Sequence, residues 1–342
     1  MEPTIFSIES QSNEIQSFKN EFPNLLEFDL VQGQLQELFC IRSLKKTDGI
    51  IESRDFIAKN SQYGNWVFYP WSKVALRILE KREFVELRTS RNRNKITKIE
   101  QEELASKTIG IVGMSVGFSV FLTMIMERVA ENFKISDFDI LSMSNLNRLP
   151  FKLADIGLPK VEIAKRWALE IDPYLNIQVY AEGINNSNVE DFFQGERKLD
   201  LIVDECDSGN IKLLLRMFAK RLRVPLLMET SDRGLLDVEN YQDEFEPIFH
   251  GRISESEINE LLLGDSKDVL MRFIDLSEAS KRGVESMMAI GKSIDTWPQL
   301  ASDVFHGGAS VTIAARNILL GNTIPSGRYF MDLQQKLGVH GL

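Results

Sequence analysis

A glycine-rich turn followed by an apolar helix pattern is the first candidate site in the sequence. Residues 108–117 read TIGIVGMSVG, in which a β-branched run ends at Gly113 and is followed by Ser115 and Gly117. A turn between a strand and a helix can bring backbone N–H groups and a helix N-terminus to a phosphate. Serine stands where the second glycine of a dinucleotide-binding turn usually stands, so the turn alone also fits an ordinary strand-to-helix connection.

Polar residues of both signs follow the next strand pattern. Asp137 and Asp139 come about two dozen residues after Gly113, where a carboxylate can accept hydrogen bonds from ribose hydroxyls. An amide and two cations come next, namely Asn145, Arg148 and Lys160. Arginine presents a rigid fork and lysine a movable point charge, so together they can hold a polyphosphate and stabilise a leaving pyrophosphate. Each residue taken alone is also typical of a strand end or a solvated surface.

A third group of polar residues ends the strand pattern LDLIVDECDS. Asp204, Glu205 and Asp207 are three carboxylates within four positions. Magnesium prefers a few carboxylates, with water and substrate oxygens in the remaining positions. Acids that face cations at one sheet edge therefore predict a metal–phosphate ligand between them.

The elements that must position these residues form an alternating pattern. We predict strands in TIGIVG, KISDFDIL, NIQVYA, LDLIVDEC and VPLLME, and helices near residues 116–132, 161–171 and 210–221. Strands that alternate with helices indicate an α/β fold, here a Rossmann-like, mostly parallel sheet with helices on both faces. Residues 101–342 form this domain, with a helical insertion at about 250–295, a long helix near 300–320 and a closing strand in SGRYFMDL.

Residues 1–100 have a different pattern and predict a small N-terminal α+β module for recognition or dimer support. The module contains the aromatic segment NWVFYPW (65–71), which we interpret as core, and a predicted helix over 74–87. The whole chain of 342 residues, 43% of them hydrophobic, can bury a core without disulfide or metal support.

Charge and cysteine content exclude several classes of protein. The net charge of -10 and the lack of a basic cluster argue against a nucleic-acid partner. The N-terminus has no signal-peptide pattern and no apolar run approaches the roughly 20 residues of a membrane span, so we expect a cytoplasmic protein with no membrane partner. Only Cys40 and Cys206 occur, which fits a reducing compartment.

Several segments together resemble the ThiF/MoeB/HesA superfamily, the adenylating domain of ubiquitin-activating enzymes and their bacterial relatives. They are IVGMSVG, DFDILSMSNLNRL, GLPKVEIAK, DECDS and VPLLMETSDRGLLDVE, and the resemblance is close over residues 106–241. The resemblance implies ATP at Gly113, Ser115 and Gly117, with ribose on Asp137 and Asp139 as a second candidate. It also implies triphosphate contacts from Asn145, Arg148 and Lys160, and magnesium near Asp207.

The same resemblance implies the reaction. A carboxylate, from the C-terminus of a peptide or small protein such as a ubiquitin-like or sulfur-carrier protein, attacks the α-phosphate of ATP and displaces pyrophosphate. Arg148, Lys160 and Asp207 are the expected catalytic residues. The family also supplies an arginine to the partner's site in a homodimer, for which Arg93 is the first candidate and Arg91 the second.

The sequence departs from the family at informative positions. Ser115 and Val116 replace glycines, and the paired Cys-x-x-Cys motifs of zinc-containing members are missing, so no zinc is expected. No cysteine follows Cys206, where members that form a thioester or persulfide carry one. We interpret Cys206 as a structural thiol and expect adenylation without thioester transfer.

Two other classes of protein remain open from the sequence. A catalytically silent module would bind nucleotide only to stabilise a dimer. An NAD(P)-dependent oxidoreductase is a more distant alternative, because it would leave Arg148, Lys160 and Asp207 without a role.

His250 and His306 each precede a glycine and are candidate residues of an acceptor channel, although a lone histidine is more often an ordinary hydrogen-bonding residue. Gly307 and Gly308 predict a narrow groove in which the acceptor's backbone approaches closely.

Overall fold

The computed structural model describes residues 2–9, 11–44, 46–60, 62–243 and 245–338. Within it the chain divides into two compact units. The first comprises Met1–Lys98 and Arg166–Tyr174, and the second comprises Ile99–Lys165 and Leu175–Leu342.

The first unit is a four-stranded sheet with helices. Its elements are β1 (Thr4–Ser7), α1 (Ser12–Glu21), β2 (Leu26–Asp29), α2 (Val31–Ser43), α3 (Lys46–Lys59), β3 (Asn65–Tyr69), β4 (Val74–Ile78) and α4 (Lys81–Arg88). The strand order is β1-β3-β4-β2, with β2 parallel to β4 and the other pairs antiparallel. Val67, Phe68 and Tyr69 of the aromatic segment are buried, which confirms their interpretation as core.

The helix predicted over residues 74–87 is wrong in its first half. Val74–Ile78 is the strand β4, and only Lys81–Arg88 is helical. β4 pairs with β3 on one side and β2 on the other, and it buries Ala75 and Ile78. Backbone hydrogen bonds to two neighbouring strands outweigh the local helical preference of Ala, Leu and Arg.

The second unit contains a seven-stranded sheet flanked by helices. In chain order its elements are α5 (Lys98–Ala105), β5 (Thr108–Val112), α6 (Val116–Glu127), β6 (Asn132–Ser136), α7 (Lys160–Ile171), β7 (Asn176–Tyr180), α8 (Val189–Gln194), β8 (Leu201–Asp204), α9 (Gly209–Leu222), β9 (Leu226–Thr230), β10 (Leu235–Glu239), α10 (Ile258–Leu263), α11 (Ser266–Phe273), α12 (Lys281–Ala289), α13 (Ala301–Leu319), β11 (Gly327–Phe330) and α14 (Leu333–Lys336). The last residues of α7 belong to the first unit.

The order of the seven strands confirms the predicted fold class. It is β11-β10-β9-β8-β5-β6-β7, in which β9, β8, β5, β6 and β7 are parallel and β10 and β11 extend the sheet by antiparallel pairing. All residues of β5 and β6 are buried, as expected for strands covered on both faces. The carboxyl ends of the parallel strands therefore share one edge, where ligands of such folds bind.

A buried ion-pair network lies in the core of this unit. Arg216 of α9 has no exposed surface and bonds Asp204 of β8 at 2.5 Å and Glu239 of β10 at 2.5 Å. Its guanidinium also lies 4.0 Å from the ring centroid of Phe249. Three elements are thus tied together by charges that water does not reach.

Candidate functional site

The turn after β5 is held by a glycine that no other residue can replace without strain. Gly113 has a φ of 92° and donates its backbone N–H to the carbonyl of Ser136 at 2.7 Å. A Cβ at this position would lie 2.6 Å from the carbonyl carbon of Glu205 and 2.9 Å from the backbone nitrogen of Cys206. The turn is therefore fixed between the ends of β6 and β8.

Asp137 joins this turn to the end of β6. Its two carboxylate oxygens accept the backbone N–H groups of Met114 at 2.6 Å and Asp139 at 2.7 Å. Burial raises the pKa of Asp137, and the two N–H groups act in the opposite direction. A carboxylate has about four lone-pair sites, so acceptor positions remain on Asp137 for a ligand hydroxyl.

Arg148 lies beside the N-terminus of α6. Its Nη2 donates to Ser115 Oγ at 3.2 Å, and its Nη1 donates to Asn147 Oδ1 at 2.9 Å. Its Nε is buried and has no hydrogen-bond partner among the described residues. Burial lowers the pKa of Arg148, while the nearby Asp207 acts to raise it. A partly buried cation with an unused donor, beside a helix N-terminus, is suited to an anion.

Lys160, the first residue of α7, is also close to the β6 end of the site. Only 4% of Lys160 is exposed, and its Nζ donates to Asp139 Oδ2 at 2.8 Å. Asp139 is therefore an ion-pair partner of Lys160 in this structure. Asn145 caps the short helix over 143–147, because its Oδ1 accepts the N–H of Ser142 at 3.0 Å.

The three acids at the end of β8 and directly after it have different environments. Asp204 is buried and bonded to Arg216 and to Lys212, whose Nζ lies 3.2 Å away; although burial acts to raise the pKa of Asp204, Lys212 and Arg216 lower it. Glu205 is buried beside Gly113, whereas Asp207 is exposed. No group of three or more His, Cys, Asp or Glu side chains suited to a metal occurs in the described ranges. Asp207 is thus the one exposed acid of the three.

Cys206 has the environment of a structural thiol. Its Sγ donates to Asp204 Oδ1 at 3.1 Å. Burial and the adjacent Asp204 raise the pKa of Cys206 well above its ordinary value. A thiol of raised pKa is a poor nucleophile.

Glu229, near the end of β9, is a buried acid that the sequence patterns do not single out. It is 4% exposed, and neither of its carboxylate oxygens has a partner among the described residues. Its backbone N–H donates to Glu205 Oε1 at 2.9 Å, so two buried carboxyl groups are neighbours. Burial, and then Asp303, raise the pKa of Glu229 to about 8. The sequence around Glu229 did not predict this environment, because the residue ends an apolar strand pattern and only its charge distinguishes it.

Gly307 and Gly308 do not line a groove, contrary to the prediction. A Cβ on Gly307 would lie 2.5 Å from Glu229 Oε1, and one on Gly308 would lie 2.7 Å from Ser119 Oγ. Both glycines are buried and allow α13 to pack closely on β9 and α6. Gly117 has a similar role, because its Cβ would lie 3.0 Å from a methyl carbon of Ile111 in β5.

A cavity of about 1000 Å³ lies at the same sheet edge, after β9. It is lined by the 231–234 loop, by α12 and by the start of α13, including Asp303 and His306. His250 does not line this cavity; its Nε2 lies 2.9 Å from Asp237 Oδ1. Its interpretation as an ordinary hydrogen-bonding residue is therefore confirmed.

Arg93 and Arg91 belong to the first unit. Both are exposed, and Arg93 lies 3.9 Å from Glu86. Their predicted role in a partner's site remains a prediction. No helix in the described part of the chain combines the length and apolar composition that a membrane span requires.

Comparison with known proteins shows similarity to one protein family. Residues 89–233 match the model of the ThiF family. A protein of Mycobacterium tuberculosis, described as uncharacterized, is 40% identical over 276 residues, which are 80% of this chain and 38% of that protein. A probable molybdopterin-synthase adenylyltransferase of Porphyra purpurea is 33% identical over 116 residues, 34% of this chain and 30% of that protein. This chain thus spans well under half the length of either relative.

A solved structure shares the fold. Escherichia coli MccB, crystallised with ATP, superposes with a TM-score of 0.50 at 16% identity, covering 81% of this chain and 72% of that one. At this identity the likeness shows a common fold and nothing finer.

Proposed function

From the match of residues 89–233 to the ThiF family model, we propose that the protein is an ATP-dependent adenylyltransferase. It activates a carboxylate of a peptide or small protein as an acyl-adenylate and releases pyrophosphate. The observation that carries the proposal is Arg148, a partly buried cation that donates to Ser115 in the turn after Gly113 and whose buried Nε has no partner among the described residues. Its guanidinium supplies the fork that a polyphosphate requires.

The surrounding residues divide the work of holding ATP. The fixed turn at Gly113 and the N-terminus of α6 bind phosphate oxygens, and Asp137 accepts hydrogen bonds from ribose. Lys160 exchanges its contact with Asp139 for a phosphate oxygen when ATP binds. Asp207 would hold Mg²⁺ together with phosphate oxygens and water, and the ion would neutralise part of the triphosphate charge.

The reaction needs positioning and charge neutralisation more than proton transfer. An oxygen of the acceptor carboxylate forms a bond to the α-phosphorus, and the bond from that phosphorus to the bridging oxygen breaks. The electron pair leaves with pyrophosphate, whose charge Arg148 and Lys160 stabilise. Because the nucleophile is already an anion, no general base is required.

The acceptor enters from the side of β9 in this proposal. The cavity after β9 opens at the same sheet edge as the turn at Gly113, and its volume suits a short peptide segment. Because the Cys206 thiol has a raised pKa, the adenylate is not passed to that residue. We also propose that the protein acts as a homodimer in which Arg93 completes the partner's site.

ATP–pyrophosphate exchange tests the proposal directly. Peptides that end in a Gly-Gly carboxylate are compared with the same peptides as C-terminal amides, which cannot attack phosphorus. We expect exchange with the acids only, and we expect Lys160→Ala and Asp207→Ala to reduce it at least 100-fold. Arg197→Ala, which removes an exposed arginine of the same unit, is the matched control.

Wild-type exchange in the Lys160 or Asp207 variants would exclude the assigned roles. Exchange that proceeds equally with the amides would exclude carboxylate activation.

A catalytically silent nucleotide-binding module is the second candidate. Ser115 favours it, because the serine that replaces a glycine accepts a hydrogen bond from Arg148 and occupies part of its donor capacity. Tight ATP binding without pyrophosphate release by any acceptor would identify this module.

A further inference from the structure

Glu229 is a buried acid that the fold itself does not need. Neither of its carboxylate oxygens has a partner among the described residues, although only 4% of the residue is exposed. An unpartnered buried polar group costs free energy, and glutamine would fill the same space without a titratable group. Such a group in a native fold points to a functional role rather than a structural one.

The position of Glu229 connects it to the proposed ATP site. Its backbone N–H donates to the side chain of Glu205 at 2.9 Å. Glu205 in turn lies under the phosphate-binding turn, because a Cβ on Gly117 would be 3.4 Å from both Cβ and Cγ of Glu205. On the other side, the Glu229 carboxyl group packs against Gly307 of α13.

The charged groups that act on Glu229 are acidic, namely Glu205, directly after β8, and Asp303 of α13. In turn, Asp204 and Lys212 of α9 act on Glu205, and His306 acts on Asp303. Lys212 is bonded to Asp204, so its charge is already compensated. An ionised Glu229 would thus add an uncompensated negative charge below the turn that must bind the triphosphate.

We propose that ATP binding at the Gly113 turn is linked to proton uptake by Glu229, which acts as a positioning residue for the site. This inference rests on the proposed ATP site. The uncharged carboxyl group leaves the N-terminus of α6 free to attract phosphate, whereas the carboxylate repels it. When ATP binds at a pH above neutrality, each molecule in which Glu229 is ionised takes up one proton from solvent on a carboxylate oxygen of Glu229.

Titration calorimetry of Mg²⁺-ATP at pH 8.5 in Tris and in TAPS measures the uptake, since the two buffers differ in ionisation enthalpy. We expect the wild type to take up about 0.5–0.7 protons more than Glu229→Gln does, and its affinity to fall about four- to eightfold between pH 7.5 and 9. Glu229→Gln should lose less than twofold over the same range. Glu196→Gln, an exposed acid of the same unit away from the site, is the matched control and should behave as the wild type.

Infrared difference spectra of the wild type give the same readout without a substitution. A neutral carboxyl band should appear when ATP is added at pH 8.5, and its absence would overturn the inference. Equal proton uptake by the wild type and Glu229→Gln would also overturn it while leaving ATP binding established. A wild type that binds no ATP at any pH would instead refute the proposed function.

Discussion

Arg148→Ala tests the assignment of the phosphate site most sharply. In the free protein the guanidinium donates only to neutral oxygens, those of Ser115 and Asn147 at 3.2 and 2.9 Å among them, and its buried Nε donates to no described residue. In the complex the same group would make two charge-assisted hydrogen bonds to phosphate. Each contributes about 1.5 kcal/mol or more, so alanine should weaken ATP binding by about 3 kcal/mol, or roughly 150-fold.

Lysine at the same position separates charge from geometry. Arg148→Lys keeps a cation but loses the planar fork of the guanidinium, so its affinity for ATP should fall by an intermediate amount, about tenfold. The free protein should be little affected, because the loss of the hydrogen bonds to Ser115 and Asn147 is offset by the removal of the buried Nε, which has no partner among the described residues; the melting temperature should change by no more than about 3 °C.

Calorimetric titration with Mg²⁺-ATP measures these effects, and Arg197→Ala again serves as the control. An Arg148→Ala protein that binds ATP within about twofold of the wild type, while remaining folded, would refute the assignment. An equal loss of ATP affinity in Arg148→Ala and Arg148→Lys would show that binding depends on the planar guanidinium and not on the charge alone.

Three further predictions concern the turn, the thiol and the buried acid. Gly113→Ala should destabilise the fold by more than about 2 kcal/mol in urea unfolding, since it adds a backbone clash to positive-φ strain, whereas Gly321→Ala, with a φ of 79° and open space, should cost only about 1 kcal/mol. Cys206→Ser should keep ATP–pyrophosphate exchange within about twofold; complete loss of exchange in a folded variant would contradict a structural thiol. Because the folded state holds the Glu229 proton up to about pH 8 and the unfolded chain releases it near 4.5, stability should fall by roughly 3.5 kcal/mol between pH 5 and pH 8. Glu229→Gln should remove most of that fall in urea unfolding at pH 5 and 8, and the buried Glu205, whose pKa burial also raises, accounts for part of the remainder; an unchanged fall would refute the assignment.

The parallel part of the sheet was predictable because its strands carry strong local patterns. Residues 108–112, 176–180 and 201–204 are apolar, β-branched runs followed by turn residues, and the structure confirms them as strands. The predicted strand KISDFDIL ends earlier, at Ser136, since Asp137 turns its carboxylate back to the N–H groups of Met114 and Asp139. The hydrogen bond from Met114 depends on a loop after another strand, which the local pattern of this strand does not include.

The features that were missed depend on long-range pairing. β10 (Leu235–Glu239) is a strand that carries two acids, Asp237 and Glu239, and these are buried only because distant cations compensate them. Likewise the pairing of Glu205 with Glu229 joins residues 24 positions apart that are brought together by adjacent parallel strands. From the sequence alone, charged residues such as these are expected to be exposed to solvent, and only the assembled sheet shows that they are buried.

The buried network around Arg216 constrains how this protein can diverge. Loss of Arg216 would leave the buried Glu239 without its cation, and loss of Asp204 would leave the buried Lys212 without its carboxylate, each at a cost of about 3–5 kcal/mol, a large part of the stability of a typical domain. Exchange of the whole network, Lys212 included, for apolar residues of similar volume can be neutral. Descendants of a common ancestor should therefore keep the complete network or lack it entirely, with few intermediates between these two states.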